Sequence, residues 1–276
     1  IALTVDDLSA RFSRDGGATA IVGTGPISTA LAARVVGSNG QVRNVAATTD
    51  GAGTFRLALP GGIDGLGGTS ASVAFLNGEG HRQWALARIA RLTAYLGLGS
   101  VEVEATPLTR TRLTWSERTD AMPDLTTDTD GRLSVAIDVT GDQPRSGQTL
   151  SAAIGSAAAE TASMTLSDVR LSLDTLRNTV TGRVPVGTGT LGRFAQVRLW
   201  PRDGDPSINV AVRTDAEGNF TLDTTNPPGT GNGGASLANY RRVQVVHTNA
   251  DGHRTIAEET VTIAIYAPYV AKGARR

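Results

Sequence analysis

The sequence predicts an all-β protein built from tandem β-sandwich copies, and three observations support this class. Short runs of alternating apolar and polar residues recur along the chain, for example at residues 101–104, 133–137 and 260–265. Gly, Asn, Asp or Pro bounds each run, and these residues end strands and form turns. A turn motif of fixed spacing occurs three times, which indicates internal repetition.

The alternation also decides between helix and strand for two Ala-rich stretches, whose composition alone would suit a helix. Residues 83–96 alternate as Trp84, Leu86 and Arg88, and residues 152–164 lack a continuous apolar stripe. A period of two is typical of a half-buried strand, whereas an amphipathic helix has a period near 3.6. Both stretches are therefore predicted to form strands.

The repeated motif reads Thr-Asp-x-x-Gly-x-apolar-x-apolar and occupies residues 49–57, 127–135 and 214–222. It predicts a tight hairpin in which the Asp carboxylate caps the turn and the Gly adopts a positive φ at the corner. The apolar alternation then begins the returning strand. The positions that define the three turns are Asp50, Gly53, Phe55, Asp128, Gly131, Asp215, Gly218 and Phe220.

A second turn follows in the outer copies and ends in His81 and His253. A turn residue is repeated with its copy, whereas a catalytic group is seldom duplicated at the same position in tandem units. We therefore expect both histidines to be structural, since a general base also needs an oriented partner. No catalytic residue is predicted, and the chain is expected not to be an enzyme.

The repeats divide the chain into three predicted domains, at residues 1–92, 93–165 and 166–276. The first and third copies begin alike, and each contains Gly-Thr-Gly, at residues 23–25 and 187–189. Each copy has about seven short strands, which is the size of a Greek-key sandwich. The second copy is the shortest and lacks the His-containing turn, and the third ends in a basic tail.

The motif, entered from a strand such as residues 197–200, resembles the signature of carboxypeptidase-regulatory-like modules. In the second copy Leu133 replaces the Phe of the signature. These modules are transthyretin-like sandwiches of the immunoglobulin fold in bacterial secreted and surface proteins. The resemblance implies a non-catalytic spacer, an adhesin stalk, an enzyme appendage or a subunit of a surface assembly, with no cofactor.

Charge and composition exclude several function classes. The 276 residues include 26 Lys and Arg against 26 Asp and Glu, so the chain lacks the basic field that nucleic acids and anionic membranes require. Cysteine is absent, which excludes disulfides and thiolate metal sites. No apolar run reaches the roughly 20 residues of a membrane-spanning helix. We expect no nucleic-acid partner and no membrane span.

Two small sets of residues are candidates for binding a metal ion or a glycan. Asp124, Asp128 and Asp130 bunch before a Gly as in calcium loops, but the downstream bidentate acid of such loops is missing, so a solvated turn is favoured. One tryptophan per copy favours core anchors over an exposed sugar platform. A glycan ligand stays open. The three tryptophans are Trp84, Trp115 and Trp200.

Apolar β-like segments at both ends of the sequence suggest self-assembly, because a terminal strand can add to the open sheet edge of another subunit. The candidate assembly residues are Ile1, Leu3, Val5, Ile265, Tyr266 and Tyr269.

The function predicted from these observations is that of a secreted structural protein on a cell surface. It would be a filament, sheath or layer subunit or an adhesin stalk, with copies of itself or other surface proteins as partners. The sequence begins at Ile1 without a Met or a leader pattern, as expected of a mature chain after signal removal or of an excised fragment. The alternative is a set of modules that bind a glycan or protein beside a secreted enzyme or on a virion.

Overall fold

The computed structural model is all-β, and the predicted immunoglobulin-like sandwich class is confirmed. Its described residues form strands β1 to β21 and one 3-10 helix, Leu237–Asn239. Within them no helix has the length and apolarity needed to span a bilayer. The structure describes residues 7–15, 18–116, 124–136, 143–155, 160–186, 194–228 and 234–262.

The first copy consists of seven antiparallel strands in two facing sheets, ordered β1-β2-β5 and β4-β3-β6-β7. Strand β5 alternates exposed and buried residues, as a strand does when one face meets a core. The strands are β1 (Ser9–Asp15), β2 (Ala18–Thr24), β3 (Ala30–Val36), β4 (Val42–Thr48), β5 (Thr54–Ala58), β6 (Ser70–Leu76) and β7 (Arg82–Arg88).

The second copy repeats this pairing, with the strand orders β8-β9-β12 and β11-β10-β13-β14. Residues 83–96 fall in β7 and β8, apart from Ile89 and Ala90 between them, and the described part of residues 152–164 falls in β13 and β14 apart from Gly155. The strand prediction for both Ala-rich stretches is therefore confirmed in these strands. The strands are β8 (Arg91–Leu96), β9 (Ser100–Glu104), β10 (Arg110–Trp115), β11 (Leu125–Thr126), β12 (Arg132–Ala136), β13 (Thr149–Ile154) and β14 (Glu160–Thr165).

The third copy repeats this pairing, with the strand orders β15-β16-β19 and β21-β20-β17-β18. Strand β17 carries a register shift between Trp200 and Pro201. The strands are β15 (Arg170–Asp174), β16 (Thr179–Arg183), β17 (Phe194–Pro201), β18 (Ile208–Arg213), β19 (Asn219–Asp223), β20 (Tyr240–Thr248) and β21 (Arg254–Thr260).

By compactness the chain divides into two units. The first contains residues 1–168 and 247–256, and the second contains residues 169–246 and 257–276. The three-domain division at residues 92 and 165 stays a prediction.

Separate apolar cores fill the first and second copies. Each core takes the inward-facing residues of both sheets of its copy, as sandwich geometry requires. The first core contains Ile21, Leu31, Ala33, Val35, Phe55, Leu57, Ala71, Val73 and Phe75. The second contains Ala90, Leu92, Ala94, Val101, Val103, Ala105, Leu113, Trp115, Leu150, Ala152, Ile154, Ala162, Met164 and Leu166.

The repeated turn motif does not form a hairpin, so that prediction is wrong. In each copy the motif leaves the fourth strand in one sheet and enters the fifth strand in the other, as between β4 and β5. The turn is as tight as predicted, with the Asp50 N–H donating to the Thr54 carbonyl over 2.8 Å. Sequence periodicity marks a turn between strands but does not say which sheet the next strand joins.

Candidate functional site

The three motif aspartates cap their turns in the same way. The Asp50 Oδ1 accepts hydrogen bonds from the N–H groups of Ala52 and Thr54, at 2.9 and 2.8 Å. Asp128 and Asp215 repeat this pattern two and four residues on. Hydrogen bonds lower the pKa of Asp50 and of Asp215. The largest effect comes from the Thr54 hydroxyl at Asp50 and from the Asn219 side chain at Asp215. These are turn caps as described for Asx residues.

The threonines before the first two motif aspartates have a role that the sequence analysis missed. Thr49 is 2% exposed, and its Oγ1 accepts from the Thr29 N–H over 2.8 Å while donating to the Pro26 carbonyl. Thr127 makes the equivalent bonds, to the Thr109 N–H and the Thr106 carbonyl. Each threonine ties its turn to the loop between the second and third strands. Its occurrence in all three motifs was the available signal.

The motif glycines are required for two reasons, a positive φ and a close approach to another strand. Gly53, Gly131 and Gly218 have φ values of +75°, +74° and +87°, which L residues with a side chain rarely adopt. A Cβ at these positions would also lie 2.0 to 2.6 Å from the carbonyl oxygen of the residue that follows the copy's second strand. The turn therefore packs directly against the end of the second strand.

A glycine and an aromatic ring form a cross-strand pair in the outer copies. Gly23 lies opposite Phe55, and Gly182 lies opposite Phe220. A Cβ at either glycine would lie 2.6 to 2.7 Å from the ring, so the ring occupies the space that a side chain would need. The second copy has Val103 opposite Leu133 at the same register. The replacement of Phe by Leu is thus matched by a larger residue in place of Gly.

The two histidine-containing turns share a backbone but differ in surroundings. Asn77 Oδ1 accepts from the His81 N–H, and Asn249 Oδ1 accepts from the His253 N–H, both over 2.9 Å. The His81 side chain is 48% exposed, whereas His253 as a residue is 5% exposed. The Nδ1 of His253 accepts a hydrogen bond from the Leu92 N–H over 3.2 Å. The sequence predicted the shared turn but gave no sign of this contact.

His253 belongs to the junction that joins the first two copies. Only Ile89 and Ala90 separate β7 from β8, and they are 4% and 2% exposed. The Ile89 N–H donates to the Thr69 carbonyl over 2.8 Å, and the Ala90 N–H donates to the Glu160 Oε1 over 3.1 Å. Acceptors from three separate segments therefore bind the amides of residues 89, 90 and 92.

A polar cleft of about 370 Å³ lies beside this junction. Strands β1 and β14, the junction residues and the turn that joins β20 to β21 provide its walls. Polar groups from different copies therefore converge here, which the repeat pattern did not predict. The ionisable residues that line the cleft are Arg11, Arg14, Glu160, Asp251 and His253.

Burial is the main cause of the shifted pKa values of two ionisable residues in the cleft. It lowers the pKa of His253 below 6.5, with Arg14 acting in the same direction and Asp251 against it. It raises the pKa of Glu160 above 4.5, against the hydrogen bond from Ala90 and the charge of Arg14. His253 and Glu160 each also accept a hydrogen bond from a backbone amide at or next to the junction. The arrangement therefore suits support of the junction better than proton transfer.

We expect His253 to make the first unit less stable in acid. Since the folded-state pKa is lowered, the unfolded chain binds more protons below 6.5. The contribution is complete above that pH and is lost as the pH falls towards the folded-state pKa. His253→Asn keeps an acceptor for the Leu92 N–H without titrating, so its free energy of unfolding should depend less on pH. Urea denaturation between about pH 5 and pH 7.5 measures this difference.

The matched control is His81→Asn, because His81 occupies the same turn position and is exposed. Its pH profile should follow that of the unmodified chain. His247, whose pKa burial lowers, and Glu160 titrate in all three proteins, so the comparison isolates His253. Identical profiles for the two variants would show that His253 does not carry the effect.

The carboxylates of two of the three calcium candidates bind other groups. Asp124 forms ion pairs with Arg110 and Arg112, which lower its pKa, first through the hydrogen bond from Arg112. Asp128 caps its turn, and Asp130 donates its N–H to Asp128. In the part of the chain that the structure describes, no three His, Asp or Glu side chains lie close enough to hold a metal ion.

The prediction of core tryptophans holds for Trp115, which is 8% exposed and donates to the Gln148 Oε1 over 2.9 Å. It is wrong for Trp84, which is 62% exposed on the outer face of its sheet. Trp200 is half-buried, with the Arg242 guanidinium 4.4 Å above its ring. The candidate assembly residues Ile1, Leu3, Val5, Ile265, Tyr266 and Tyr269 lie outside the described residues.

No protein-family model and no curated protein matches the chain. Among solved structures it is similar to a tetra-tandem repeat in the extending region of a large adhesion protein, with 14% identity, a TM-score of 0.25 and coverage of 93% of this chain and 74% of that one. It is also similar to a Ca²⁺-stabilized adhesin of an Antarctic bacterium, with 16% identity, a TM-score of 0.21 and coverage of 91% and 70%.

A two-domain fibronectin type-III segment of chicken tenascin is similar at 13% identity and a TM-score of 0.22, with coverage of 59% of this chain and 99% of that one. Membership of the carboxypeptidase-regulatory-like family stays a prediction.

Proposed function

We propose that the chain is a non-catalytic structural protein of an extracellular surface, acting as a segment of an adhesin-type stalk. The observation that carries this proposal is the junction between the first two copies. A stalk must transmit force between its modules without extending. A linker of two buried residues, Ile89 and Ala90, with amides hydrogen-bonded to other segments, meets that requirement.

A non-catalytic role also accounts for the polar cleft. Its buried histidine and glutamate each accept a hydrogen bond from a junction amide, through His253 Nδ1 and Glu160 Oε1. Moving either group to bind a substrate would leave a buried backbone N–H without an acceptor, at a cost of about 1–3 kcal/mol. Other surface proteins or further copies of the chain are the partners that this role requires.

Single-molecule pulling on the full chain tests the proposal. Because the chain has no cysteine, Asp7→Cys and Thr165→Cys provide two unique attachment points on either side of the first two copies. We expect no extension before discrete unfolding steps. Each step should release roughly 25 nm, since a copy has about 80 residues and an extended chain spans about 3.5 Å per residue.

The control inserts five Gly-Ser residues between Ile89 and Ala90. It should add compliance at forces below the first unfolding step, because a Gly-Ser linker behaves as a flexible coil. If the unmodified chain extends at low force as the insertion variant does, the junction is not rigid and the stalk proposal is wrong.

A further inference from the structure

The outer face of sheet β4-β3-β6-β7 carries two large exposed apolar side chains. Leu76 on β6 is 67% exposed, and Trp84 on β7 is 62% exposed. The register explains their position. Val73 and Phe75 point into the core, so Ala74 and Leu76 between and beyond them point outward, and Trp84 lies directly opposite Ala74.

A row of alanines crosses this face and ends at Trp84. Ala46, Ala32 and Ala74 lie opposite one another on β4, β3 and β6. Neighbouring strands are about 4.8 Å apart, so the row and the indole span roughly 14 Å. Ala74 is only 3% exposed although it points outward. We infer that the indole lies over it, with one ring face on the sheet and the other towards solvent.

The strands of this sheet carry only positively charged side chains, although the formal net charge of the whole chain is zero. Its four strands contain four arginines and no Asp or Glu. On the outer face, Arg34 and Arg82 lie in the rows on either side of the alanine row and are exposed. Hydroxyl and amide groups share these rows, among them Ser72 and Asn44. The face thus combines a flat apolar floor, an indole, cations and neutral hydrogen-bonding groups.

The second copy lacks this combination, so the sandwich itself does not demand it. By register, Thr161 occupies the position of Trp84 there, opposite Ala153. Arg112 takes the place of the alanine on the third strand and is paired with Asp124. The exposed indole and the row of alanines beside it are features of the first copy that the second copy does not share.

We propose that this face of the first copy binds an anionic polysaccharide, such as a polymer of uronic acids. The indole of Trp84 stacks on the C–H face of a sugar ring, and the guanidinium groups of Arg34 and Arg82 pair with sugar carboxylates. A strand-like peptide adds to a sheet edge, whereas the centre of this face, on β3 and β6, has its backbone already paired on both sides. The inference goes beyond the stalk proposal and does not depend on it.

Binding of the full chain to polygalacturonate, measured by titration calorimetry, tests this inference. Dextran is the neutral comparison polymer and polyglutamate the acidic peptide. Trp84→Ala should weaken polygalacturonate binding at least about tenfold, and Arg34→Gln with Arg82→Gln should reduce both affinity and its salt dependence. Leu176→Ala removes a side chain that is 91% exposed elsewhere and should bind as the unmodified chain does. Thermal melting checks that each variant is folded.

Three results would overturn the inference: no binding of polygalacturonate, unchanged binding by Trp84→Ala, or equal binding of dextran. Tighter binding of polyglutamate than of polygalacturonate would also overturn it and would identify an acidic protein segment as the occupant. The pulling experiment does not involve Trp84, so failure of either proposal leaves the other intact.

Discussion

Replacing Gly131 with alanine is expected to lower the free energy of unfolding by about 3 kcal/mol or more. The residue has a φ of +74°, and a Cβ would lie 2.1 Å from the carbonyl oxygen of Ala105. The backbone fixes the position of the Cβ, and its neighbour is a backbone oxygen, so no side-chain rotation relieves the clash. The hydrogen bond from the Ala105 N–H to the Gly131 carbonyl, 2.8 Å long, would be lost with the turn. Urea denaturation measures the effect.

Gly80→Ala is the matched control. Gly80 has a φ of +78° in the turn between β6 and β7, and a Cβ there would meet no atom within 4 Å. Only the backbone conformation is penalised, so the expected loss is about 1 kcal/mol. Equal losses for the two variants would mean that the close approach to Ala105 contributes nothing.

Gly23→Val is the second change with a large expected effect, about 4 kcal/mol. A Cβ at Gly23 would lie 1.9 Å from the carbonyl oxygen of Ser9 and 2.7 Å from the ring of Phe55. Adding Phe55→Leu should recover at least about 1 kcal/mol relative to the sum of the single losses. The second copy shows why, because Val103 and Leu133 form a stable pair at this register. Recovery stays partial because the approach to Ser9 remains.

A double-mutant cycle of the two single variants and the double variant, followed by urea denaturation, gives this coupling directly. The change Phe55→Leu alone should cost about 1–2 kcal/mol through lost packing. Simple additivity of the two changes would show that ring and glycine do not share one space. The compensation seen in the second copy would then need another cause.

Local signals in the sequence predict much of this fold. The alternation of apolar residues gives the strands, including the Ala-rich stretch that holds β7 and β8. The Thr-Asp-x-x-Gly spacing gives the turns and the positive φ of Gly53 and Gly131. These features depend on residues a few positions apart, so a single sequence contains the necessary information.

Features that depend on distant residues were not predictable in the same way. The hairpin prediction for the motif turn is wrong because no local signal tells whether β5 pairs with β4 or with β2. The prediction that Trp84 lies in the core is wrong because one tryptophan per copy does not say on which of the two strand faces it lies. His253 resembles His81 in sequence, and only the contact with Leu92 distinguishes them.

That contact also sets an order of events during synthesis. The Leu92 N–H and its acceptor on His253 are 161 positions apart, so the amide has no acceptor until residue 253 has left the ribosome. Ser167 is in a similar position, since its N–H donates to the hydroxyl of Thr255 over 3.1 Å. The early part of the protein therefore acquires its final form only when the late part arrives, and a chain ending after residue 168 would lack the acceptors on which both amides depend.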